Sequence, residues 1–261
     1  MSLEIYKEGE FEYMETTPGK EPLVLLHGLF GSLSNFNALI RDFKDKYNII
    51  IPVLPIYNIP TKSDSLEFLL DHVSRFIKFK QLSRINVLGN SLGGHLAQMF
   101  VLKNAALVKS MILTGSSGLF ETGGLGGNTF LKRGDYSFVK MKTEGTFFDP
   151  QTASKEMVDE VYDAINDRHK AIRLILTAKS AMRHNLESRL KEIKTRSLLV
   201  WGSQDEITPP FVADKFHELL VNSKLVFIDQ CGHAPMMERP LKFNNALQKF
   251  FSEAKELVNT N

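Results

Sequence analysis

The chain has 261 residues, 43% hydrophobic and 10% aromatic, so one domain can bury a core without disulfides or a structural metal. Its 32 basic and 30 acidic residues leave a formal charge of +2, which excludes the dense basic footprint of a nucleic-acid binder. Cys231 stands alone, the N-terminus lacks the apolar core of a secretion signal, and no apolar run reaches the ~18 residues that span a bilayer.

A soluble, cytoplasmic protein without a nucleic-acid or membrane partner is the expectation. In chain order, short apolar runs alternate with longer amphipathic stretches, the pattern of a mostly parallel sheet with helices on both faces. The first 17 residues read as a short antiparallel strand pair at the sheet edge. PLVLLH (22–27) is a buried-strand run, followed by a helix over 35–45 and a second strand, YNIIIPVL (47–54). Residues 63–80 form a helix with Leu66, Leu69, Leu70, Val73, Phe76 and Ile77 on one face. RINVLG (84–89) is the next strand, and 91–103 the helix leaving it. Further strands fall at 108–114, 197–201 and 224–229, and a helix over 240–258 closes the chain.

One stretch breaks the alternation. Residues 115–196 hold no strand-like run comparable to the others. They open with Gly118, Gly123, Gly124, Gly126 and Gly127, then show helical apolar spacing over 157–165 and 169–182. An inserted helical cap is the economical reading, because ordinary crossovers are far shorter. The glycine cluster follows no strand closely and reads as a hinge in preference to a phosphate loop.

The strongest local signal is Gly89-Asn90-Ser91-Leu92-Gly93-Gly94, set between a strand and an apolar helix. This is a G-x-S-x-G elbow in the context its mechanism requires, with Ser91 at a helix N-terminus that favours developing negative charge. The bland alternative is a glycine-rich helix start with Ser91 as a mere cap. A serine hydroxyl needs a base. Of seven histidines, His233, in QCGHAP just past the last strand, is the best placed. His72, His169, His184 and His217 lie in predicted helices, His95 points along the helix after Ser91, and His27 precedes Gly28 in another loop.

The imidazole in turn needs a carboxylate. Asp205, in WGSQDEITP directly after the strand SLLVW, is preferred over its competitors Glu206 and Asp229. Leu92, next after the serine, offers one oxyanion amide. Leu29, in HGLFGS, is the choice for the second, with Phe30 behind it and also a candidate substrate contact. No metal is implied, since ligand spacing such as His-Glu-x-x-His is missing, and no cofactor motif is present.

LHGLFGS, GNSLGG, WGSQDEITP and CGHAPMMERP, in the order Ser91, Asp205, His233, resemble the α/β-hydrolase family over nearly the whole length. The resemblance implies an α/β-hydrolase fold, with a core of 1–116 and 195–261 and a helical cap of 117–194. It also implies a serine esterase acting through an acyl-enzyme on a small substrate with an apolar acyl or aromatic part. Phe120, Leu125, Phe130, Phe138, Phe147 and Phe148 are cap residues that could line such a pocket. GNSLGG looks in addition like the meta-cleavage-product hydrolases, which cut carbon–carbon bonds in vinylogous diketones. That likeness implies Asn90, Asn35 and Arg168 as contacts to a dicarbonyl. One departure is PVLPIYNIP (52–60), where family members often carry Asp-x-Pro-Gly-x-Gly-x-Ser; it leaves the mechanism intact but not the substrate identity. A catalytically idle member that binds a ligand or partner is the alternative of another class.

Overall fold

Strand after strand in this chain is apolar on both faces, and such strands belong inside a parallel sheet. The fold is taken from a computed structural model that describes residues 4–31, 33–120 and 132–259, the side chains of 254–259 excepted. Eight strands, β1 (Tyr6–Glu8), β2 (Phe11–Glu15), β3 (Glu21–Leu26), β4 (Tyr47–Pro52), β5 (Ile85–Asn90), β6 (Val108–Thr114), β7 (Arg196–Gly202) and β8 (Ser223–Ile228), form one sheet. Their order is β1-β2-β4-β3-β5-β6-β7-β8. β1 and β2 pair antiparallel at one edge, as expected of the first residues, and β3 to β8 run parallel.

The period of two divides the core. In β3, Val24 and Leu26 join Ile50, Val87, Leu113, Leu199 and Trp201 on one face; Leu23 and Leu25 join Ile49, Leu88, Ile112 and Val200 on the other. Helices α1 (Asn37–Phe43), α8 (Pro235–Glu238) and α9 (Pro240–Asn259) cover the second face. Helices α2 (Ser65–Phe79), α3 (Leu92–Asn104) and α7 (Pro210–Leu219) cover the first. The helix expected over 35–45 is shorter, because Ser34 and Asn35, poor helix formers, lie in a 3₁₀ turn spanning Leu33–Phe36. β4 stops at Pro52, and the Leu54 amide leaves the ladder to donate to His27 Nε2 at 3.2 Å.

Between β6 and β7 lie α4 (Tyr136–Glu144), α5 (Lys155–Asn166) and α6 (Arg168–Arg183). The last two match the expected helical spacing, and α7 contains His217, expected in a helix; α4 was not expected from sequence. His184 does not lie in a helix but caps α6, where Asp64 holds it. Asp64 caps α2 through the amides of Leu66 and Glu67 and accepts from Ser180 Oγ at 2.7 Å and Arg183 at 3.1 Å. One carboxylate therefore joins the start of α2 to the end of the insertion. Gly123, Gly124, Leu125, Gly126, Gly127 and Phe130 lie outside the described residues. Phe147 is buried in the second core, Phe148 is exposed, and Phe138 lies beneath the ammonium groups of Lys132 and Lys142. Among the described residues, no helix is long and apolar enough to cross a membrane.

Candidate active site

β5 ends at Asn90 and α3 begins at Leu92, so a single residue makes the turn. Ser91 takes φ 54° and ψ −120°, a region that side chains rarely adopt. The approach is close enough that a side chain at Gly89 would strike the carbonyl of Gly93, and one at Gly93 the carbonyl of Leu26. The Ser91 backbone is held on both sides. Its amide donates to Thr114 O at 3.2 Å, and its carbonyl accepts from the amides of Gly94 at 3.0 Å and of His95 and Ser117 at 3.2 Å. Ser91 itself stays half-buried while the helix behind it is buried. Leu92, first in α3, has an N–H without an intrahelical acceptor.

His233 and Asp205 meet. Nδ1 of His233 donates to Asp205 Oδ2 at 2.9 Å, and both residues are buried. That contact places the proton on Nδ1 and leaves Nε2 with its lone pair, the tautomer a general base needs. Asp205 Oδ1 accepts from the amides of Ile207 and Thr208, each at 2.9 Å, and Oδ2 from Thr208 Oγ1 at 2.8 Å. Trp201 Nε1 in turn donates to Thr208 O at 2.7 Å. Burial alone would raise the Asp205 carboxyl; the charge and hydrogen bond of His233, with the Thr208 donors, outweigh it and hold the group below its ordinary 3.8. Glu206 is exposed, and Asp229, also exposed, pairs with Gln204.

The loop of His233 is tied to the turn at Ser91. The His233 amide donates to Thr146 O at 3.0 Å, and Asn90 Nδ2 donates to His233 O at 3.2 Å. The imidazole stands over the end of β6, where a β-carbon on Gly115 would lie 2.8 Å from Nδ1. The other candidate histidines have different partners. His27 donates from Nδ1 to Gly28 O at 2.9 Å, and burial lowers its pKa. His95 donates from Nε2 to His184 O at 2.8 Å, and burial brings it down to about 4.

Gly28 packs on Ser91, with 3.2 Å from its β-carbon position to Ser91 Cβ. Gly31 N bonds Gly28 O at 3.0 Å, closing a turn whose corners are Leu29 and Phe30, both half-buried against the first core. Asn35 is half-buried in the following 3₁₀ turn. Arg168 is exposed at the start of α6. Asn90 uses both N–H groups of its amide on protein carbonyls, Thr114 O at 3.0 Å and His233 O, which makes it a brace within the site. Thr208 went unnoticed in the sequence, although its place three residues after Asp205 is a turn spacing that would have found it.

Cys231, two residues before His233, is pushed up to about 12 by burial and then by the Glu238 carboxylate, so it stays a thiol. Among the described residues, no group of three His, Cys, Asp or Glu side chains could hold a metal ion.

A family model described as alpha/beta hydrolase fold matches residues 21–240. The chain is 36% identical to MGS-MChE2, an alpha/beta hydrolase enzyme from a lagoon-sediment metagenome, covering 97% of this chain and 99% of that one at a TM-score of 0.80. It is 30% identical to a 2-hydroxy-6-oxononadienedioate/2-hydroxy-6-oxononatrienedioate hydrolase of Paraburkholderia phymatum, over 92% of this chain and 90% of that protein. It is 26% identical to Lipase 1 of Psychrobacter immobilis, over 84% of this chain and 73% of that protein.

Proposed function

The chain belongs to the α/β-hydrolase fold family, and from that premise we propose that it is a serine hydrolase of small carboxylic esters, with Ser91 as nucleophile, His233 as base and Asp205 as its orienter. The observation that carries this reading is the Asp205–His233 contact at 2.9 Å, braced by Asn90 to the residue position just before Ser91. Ser91 Oγ attacks the ester carbonyl as its proton passes to His233 Nε2. The oxyanion rests on the amides of Leu92 and Leu29. The imidazolium returns its proton to the alkoxide, which leaves as an alcohol. Water then attacks the acyl-enzyme with the same base, releasing the acid and restoring Ser91. Asp205 stays ionised throughout and steadies the imidazolium.

Leu29 and Phe30, the apolar corners of the turn whose Gly28 packs on Ser91, support a substrate with an apolar acyl or aromatic part. Residues 117–194 act as a cap over this end of the sheet, joined to the core through Asp64 and through the contact of Thr146 with His233. A second reading, carbon–carbon cleavage of a dienol diketone, is favoured by the identity to the dienedioate hydrolase. Under that reading Asn35 and Arg168 would face the dicarbonyl and its carboxylate. Turnover of a short p-nitrophenyl ester series is compared with that of a 2-hydroxy-6-oxodienoate. The ester reading expects the esters to be faster; turnover of the diketone alone would replace it with the second.

A further inference from the structure

The loop that carries His233 also holds a carboxylate that the reaction leaves unused. Glu238 is 7% exposed, at the end of the single turn α8. Its Oε2 accepts from the Gly232 amide at 2.6 Å, and its Oε1 accepts from the Asp149 amide at 2.7 Å. Gly232 is the residue before His233. Asp149 lies in the segment after α4, three residues beyond Thr146, whose carbonyl takes the His233 amide. The two oxygens of one buried carboxylate thus hold the base loop and the insertion side by side.

Burying a carboxylate is costly unless strong hydrogen bonds replace its water, and amide donors to an anion are among the strongest. Here both donors are main-chain groups flanking the contact between His233 and the insertion, so the carboxylate fixes backbone. Where the backbone of His233 sits decides where Nε2 points. We propose that Glu238 is a positioning residue, a two-ended clamp that sets His233 against the 146–149 segment of the insertion and so aims its ring at Ser91. The inference rests on the reading of His233 as the base. With the clamp gone, the loop keeps its bonds from Asn90 and to Thr146 but loses the register between them. A displacement of about 1 Å at a reacting group can cost up to ~10²-fold in rate.

The test uses Glu238→Ala and Glu238→Gln in the full chain. Gln keeps one acceptor oxygen and turns an NH₂ toward the other amide, so it removes one arm of the clamp. On a short p-nitrophenyl ester, kcat falls ~10–100-fold in Glu238→Ala and by a smaller factor in Glu238→Gln, while KM stays within about twofold. The rate of labelling by a fluorophosphonate probe falls in the same order. Folded variants with lowered Tm but wild-type kcat would overturn the proposal, because Glu238 would then serve only stability. Failure of both variants to fold would overturn it equally. Ser91→Ala runs alongside: if that variant keeps the ester activity, the serine-hydrolase reading fails, whatever Glu238 does.

Discussion

Asn90 reaches from the turn at Ser91 to the loop after β8, donating from its side-chain amide to the backbone carbonyl of His233 at 3.2 Å. The same nitrogen serves Thr114 O at 3.0 Å, so one side chain links β5, β6 and the loop after β8. Asn90→Ala removes both bonds; Thr114 O keeps the Ser91 amide, while the buried carbonyl of His233 loses its Asn90 donor. We expect a loss of stability of about 1–3 kcal/mol and a kcat lower by about tenfold with KM nearly unchanged. Steady-state kinetics on a p-nitrophenyl ester, with a urea titration, read both effects. A raised KM at full kcat would instead make Asn90 a substrate contact.

Thr208 contributes its hydroxyl to Asp205 Oδ2 at 2.8 Å as well as its amide to Oδ1. Thr208→Val keeps the amide and the shape but removes the hydroxyl. The Asp205 carboxyl then rises toward its ordinary value, and the folded state loses about 1 kcal/mol at neutral pH. Because the folded carboxyl lies below 3.8, its stabilising contribution is present above that pH and is lost as pH falls through the folded value. The variant has less of it to lose. Thr208→Ser should retain the wild-type acid profile, and Tm measured from pH 7 to pH 2.5 distinguishes the three proteins.

His27 and His95 fold as neutral rings below their ordinary 6.5, His95 at about 4, because both are buried. In the unfolded chain each takes a proton near 6.5. The unfolded state therefore binds more protons as pH falls below 6.5, and stability declines toward the folded values. For His95 the loss between pH 7.5 and pH 5 is about 2 kcal/mol. Urea midpoints at the two pH values measure it. His95→Gln, which can still donate to His184 O, should show a smaller difference, and an unchanged difference would contradict the assignment.

The strands were legible because parallel strands buried on both faces are apolar without a break. The elbow was legible because Gly89 and Gly93 sit at the one spacing that this turn tolerates. Asp205 is preferred to Glu206 for its place after β7; in the structure the turn through Ile207 and Thr208 closes on the Asp205 carboxylate, and Glu206 lies in solvent. Helix α4 was not legible, since only Val139 and Thr143 of it are buried and its apolar stripe is faint. Nor was the work of Asn90. Its carbonyl partners lie 24 and 143 residues away, and no local spacing encodes such a contact.

Asp64 carries the attachment of the insertion. Burial alone would raise its carboxyl, but Ser180, Arg183, the Glu67 amide and His184 hold it well below the usual carboxylate range. Asp64→Ala loses the cap of α2 at a cost of about 1–2 kcal/mol and frees the end of α6. Limited proteolysis should cut within 132–184 faster than in wild type. An unchanged digestion pattern would mean that apolar packing alone secures the insertion.

The central claim is that Ser91 is the nucleophile and His233 its activator. Peptide mass mapping after reaction with a fluorophosphonate tests it most directly. The account predicts one adduct, on Ser91, formed at a rate that collapses in His233→Ala. An adduct on another residue, or labelling of Ser91→Ala at the wild-type rate, would contradict it.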